Sequence, residues 1–60
     1  MAKENYMANL TKDDVINSCR EVHDCYYFYK ATGMSDADIA QVLYDLGEIS
    51  YIERDVLKKA

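Results

Sequence analysis

Ala31-Thr32-Gly33-Met34-Ser35-Asp36-Ala37-Asp38 reads as the end of one helix and the start of the next. Glycine enters the left-handed conformation without a Cβ penalty, so helices commonly stop on it. A serine followed by acids suits the opposite end. Its hydroxyl accepts from the open N–H groups of a first turn, and the carboxylates meet the positive end of the helix dipole. The same punctuation returns at Gly47-Glu48-Ile49-Ser50-Tyr51-Ile52-Glu53, where Ser50 and Glu53 have the spacing of a capping box. Thr11-Lys12-Asp13-Asp14 supplies a third start. The chain contains two glycines and no proline. It therefore reads as all-α, a compact three-helix bundle with a long first helix over about residues 12–32 and two shorter ones over about 36–46 and 51–59. Residues 1–9 show no periodicity and read as a short irregular N-terminal tail, leaving 10–60 as a single three-helix domain.

The apolar spacing fits this division. Val15, Cys19, Val22, Tyr26 and Tyr29 recur at alternating steps of four and three, one face of a helix. The second helix offers Ile39, Val42, Leu43 and Leu46; the third offers Ile52 and Val56, with Ile49 just before it. Together they form one small core.

A chain of 60 residues is one domain at most. At this size only ~60 % of the unfolded surface is buried, and small folds commonly add a disulfide, a metal or a second copy of themselves. Half of the residues are apolar or aromatic and 30 % are charged, which argues for a folded chain. The net charge of -4 argues against loose polyanion binding and is compatible with a basic protein partner. The longest apolar-rich run, Cys25 to Tyr29, is far short of the ~20 residues a membrane span needs. The first residues lack the apolar core of a signal peptide, so the expected setting is cytoplasmic, with both cysteines reduced.

The run Tyr26-Tyr27-Phe28-Tyr29 is the strongest functional feature. Four consecutive helical residues point in four directions. Tyr26 and Tyr29 belong to the core stripe, Tyr27 to its edge, and Phe28 lies nearly opposite. Adjacent exposed aromatics mark a binding surface, against the plainer reading in which another segment folds over Phe28. Tyr44 and Leu57 fall off the core faces of their helices and are candidates for the same partner-binding patch. Glu21, Asp24 and Asp45 are expected to form an acidic rim that steers a basic partner.

Other chemistry has less support. Cys19 and Cys25 fall on separate faces of one helix and cannot pair. Cys19 reads as a small core residue and Cys25 as an edge thiol or interface residue. Cys19 and His23 have the spacing of a two-point metal clamp, but no second pair completes a zinc site, so no metal or cofactor is expected. One histidine, no nucleophile–base–orienter set and no glycine-rich phosphate loop argue against an enzyme.

Residues 35–60 resemble a helix-turn-helix. Ile39-Ala40-Gln41-Val42-Leu43 is similar to the first helix of that motif, and Gly47-Glu48-Ile49-Ser50 to its turn. The resemblance implies DNA binding through the last helix, with Ser50, Tyr51, Arg54 and Lys58 as readers. The turn comes about three residues later than in the usual motif, and Glu53 and Asp55 flank Arg54. Gly33-Met34-Ser35, followed by Gly47, resembles the loop spacing of ubiquitin-associated-type domains. Leu10-Thr11 through Ser18, with Lys30-Ala31-Thr32 and Met34, resembles the small helical inhibitor of sporulation histidine kinases, given an insertion of about nine residues. Both resemblances imply protein binding, and neither carries individual residues over. The expectation is a small acidic protein–protein interaction module of the regulator, adaptor or inhibitor type familiar from bacteria and phages. It would act alone or as a homodimer, with DNA binding as the alternative.

Overall fold

The computed structural model describes residues 10–59; the tail assigned to residues 1–9 lies outside them. The described residues are all-helical, in four helices rather than three: α1 Lys12–Ile16, α2 Arg20–Ala31, α3 Asp36–Asp45 and α4 Tyr51–Lys59. The long first helix divides at Asn17-Ser18-Cys19. Asn17 sits at φ -95°, ψ 11°, and Cys19 is fully extended at φ -158°, ψ 166°. Asn and Ser side chains compete for nearby backbone groups and weaken a helix interior. All three residues are exposed, so no packing opposes the break. Cys19 accordingly leaves the core in which the 3–4 spacing had placed it.

The anticipated helix ends form as read. Thr11 and Asp14 make a reciprocal capping box: the Asp14 N–H donates to Thr11 Oγ1 at 3.2 Å, and the Thr11 N–H to Asp14 Oδ2 at 3.0 Å. Ser50 and Glu53 repeat it at α4, at 2.8 and 3.3 Å. Ser35 accepts from the Asp38 N–H at 3.2 Å. Gly47, at φ 80°, donates to the Tyr44 carbonyl, and the next N–H, Glu48, reaches back to the Leu43 carbonyl at 2.9 Å. Gly33 and Met34 make the same pair of bonds to Lys30 and Tyr29. Both ends are thus Schellman motifs, which satisfy carbonyls that a helix terminus leaves open.

The helices close a ring in which each packs on two neighbours: α1 on α2 and α4, and α3 on α2 and α4. Val15, Ile16, Val22, Tyr26, Ile39, Ala40, Leu43, Ile49 and Leu57 fill the centre, with Leu10, Cys25, Tyr29, Met34 and Val56 partly buried against them. Two further expectations are corrected. Leu57 is fully buried, because α4 is covered on two sides, by α3 and by α1, and its buried arc widens past Val56. Leu46, assigned to the core, is 59 % exposed, because it stands at the C-cap where the chain turns away from α3.

Candidate functional site

One polar cluster binds three helices together. Asp36, the first residue of α3, accepts from the Tyr26 hydroxyl and from Lys30 Nζ through Oδ1, both at 2.8 Å. Its Oδ2 lies 2.8 Å from Lys12 Nζ on α1. The hydrogen bond from Lys12, followed by that from Lys30, holds the Asp36 carboxyl well below the usual carboxylate range against the opposing effect of partial burial. Burial, then the bond to Asp36, pushes the Tyr26 phenol up. The bond to Asp36 likewise raises Lys12. Every polar group here has a partner within the cluster, so it is a structural clamp. The helix-start pattern accounts for Asp36 as a dipole charge only; its neighbours at Lys12, Tyr26 and Lys30 come from tertiary packing.

The aromatic run divides as its helical phase requires. Tyr26 is buried and Tyr29 half-buried, whereas Tyr27 is 53 % and Phe28 66 % exposed. The exposed rings rest on the inner ones. Tyr27 meets Tyr26 edge-on at 5.0 Å, and Phe28 meets Tyr29 edge-on at 5.4 Å. These are favourable geometries that restrict the outer rings. Tyr27 also lies against the His23 ring at 4.8 Å. Glu21 and Asp24 are exposed on the same helix, three and four residues apart in the register that leads to Phe28. Arg20 reaches Asp24 at 3.8 Å, and His23 Nδ1 lies 3.1 Å from Asp24 Oδ1, so Asp24 is shared with its own helix.

The remaining predicted residues are placed elsewhere. Leu57 belongs to the core and leaves the patch. Tyr44 and Asp45 end α3, and among the described residues no ring contact joins Tyr44 to Tyr27 or Phe28. The Arg54 guanidinium covers the Tyr44 ring at 4.5 Å and lies 3.3 Å from Asp55. Lys58 Nζ donates to Gln41, whose amide donates to Asp45. Two of the four supposed DNA readers, Arg54 and Lys58, therefore lean onto α3. Ser50 is occupied as a cap, and Tyr51 is 59 % exposed. Leu46 and Tyr51 are exposed apolar residues that the aromatic run did not point to.

Among the described residues no group of three or more His, Cys, Asp or Glu side chains is disposed to hold a metal, and no helix is long and apolar enough to cross a membrane. Compared with protein-family models, curated proteins and solved structures, the chain matches none.

Proposed function

We propose that the protein is a small cytoplasmic interaction module, a regulator, adaptor or inhibitor without catalytic activity, that docks the Tyr27–Phe28 face of α2 on another protein. The observation that carries this reading is the pair of adjacent, largely exposed rings held edge-on by Tyr26 and Tyr29. Rings fixed in this way lose little side-chain freedom on binding, and aromatic anchors supply much of the energy of protein interfaces. Asp24 stands one turn before both rings and Glu21 one turn further, an acidic line that favours a basic rim on the partner. The engagement of Arg54 and Lys58 with α3 favours this reading over DNA binding, which needs cations turned outward.

The test compares wild type with Phe28→Ala by thermal melting, by solution mass across a concentration series and by affinity capture. An unchanged melt together with loss of a captured protein, or of a dimer, supports the reading. A large fall in melting temperature, or capture indifferent to the substitution, overturns it.

A further inference from the structure

We infer that the α3–α4 turn is a second docking surface, built for a basic amphipathic segment of another protein. The inference shares the view of the molecule as a binding module but uses none of the α2 face. Leu46 and Tyr51 bracket the turn and are each 59 % exposed, while Ile49 between them is buried. The two apolar side chains are therefore carried on a connection anchored at its middle. That connection is also fixed at both ends: by the Gly47 and Glu48 N–H bonds to the end of α3, and by the reciprocal Ser50–Glu53 cap at the start of α4. The chain from Leu46 to Tyr51 spans at most ~17 Å even when extended, so one short segment can touch both.

The charge around this apolar pair is predominantly negative. From Tyr44 to Asp55 there are four carboxylates, Asp45, Glu48, Glu53 and Asp55, and one cation, Arg54. Arg54 is committed to the Tyr44 ring and to Asp55. Asp45, Glu48 and Glu53 make no ion pair among the described residues. Glu53 and Glu48 stand at the helix end that would otherwise attract phosphate. The turn therefore repels nucleic acid and complements lysines or arginines flanking an apolar side chain. Leu46 and Tyr51 would take the apolar side chain, and Asp45 and Glu48 the cations.

The experiment titrates the full ¹⁵N-labelled chain with a synthetic Leu/Lys amphipathic helical peptide. Its controls are the same peptide with Leu replaced by Ser, a Leu/Glu counterpart and a DNA duplex. The expected result is saturable shifts at the amides of residues 45–53 with the Leu/Lys peptide alone. Affinity should fall roughly tenfold or more in Leu46→Ser and in Glu48→Lys, and stay unchanged in Phe28→Ala. Shifts centred on Tyr27 and Phe28, equal response to the Leu/Glu peptide, binding of the duplex at the turn, or no saturable response would each overturn the inference. Because Phe28→Ala is silent here and decisive for the α2 face, the two readings fail separately.

Discussion

Truncating Phe28 to alanine removes a ring that is 66 % exposed, and the expected change in folding stability is within about 0.5 kcal/mol. Truncating Leu57 empties a fully buried position, with an expected loss of ~2–5 kcal/mol. A core of this size rarely supplies more than ~3–5 kcal/mol, so Leu57→Ala should leave a large unfolded fraction at room temperature. Circular dichroism melts of the two variants check both expectations. The contrast matters because each residue lies off its helix's apolar stripe in the sequence. Both helices pack on two neighbours, so what separates them is the side of each helix that those neighbours take: Leu57 is covered and Phe28 is not.

At the scale of elements, the turns are the best-determined parts. Gly47 holds φ 80° with nothing within 4 Å of where a Cβ would stand, so alanine there meets only the left-handed backbone penalty. Gly47→Ala should cost ~1–2 kcal/mol, read as a lower melting temperature, and Gly47→Asn should cost less. Thr11, Ser35, Ser50, Gly33 and Gly47 were legible in the sequence because capping is local chemistry: a hydroxyl and the N–H it serves lie within three residues. The division at Asn17-Ser18-Cys19 was not, since Cys19 completed a regular apolar stripe that outweighed two weak helix formers. The energetics of that break depend on α1 reaching α4, a contact between residues about 40 positions apart. The same distinction governs the candidate surface. Phe28 was legible from phase alone, whereas the exposure of Leu46 and the Asp36 clamp arise from packing. Replacing Asn17 and Ser18 together by alanine tests this account. Despite better intrinsic propensity, the double substitution should fail to stabilise the fold, because a continuous helix draws α1 away from α4.

For the molecule as a whole, the Asp36 clamp makes a contribution to stability that depends on pH at both ends of the scale. Asp36 has a lowered folded-state pKa, so its contribution is complete above the ordinary carboxylate value of 3.8 and is lost progressively as pH falls below it. Tyr26 and Lys12 have raised folded-state values. Their contributions are complete below about pH 10 and are lost as pH rises above it. Denaturant titrations across pH should show both edges, and Asp36→Asn should be less stable at neutral pH with a flatter acid edge. The packing of α1 on α4 has a further consequence, for synthesis. Val15 and Ile16 are made before the helix that covers one side of them. At ~5–20 residues per second, roughly 2–8 s separate the two. Through that interval a five-residue helix, too short to persist alone, leaves two branched apolar side chains uncovered. The ring can close only after translation has reached α4, so α1 gains its second neighbour well after its first.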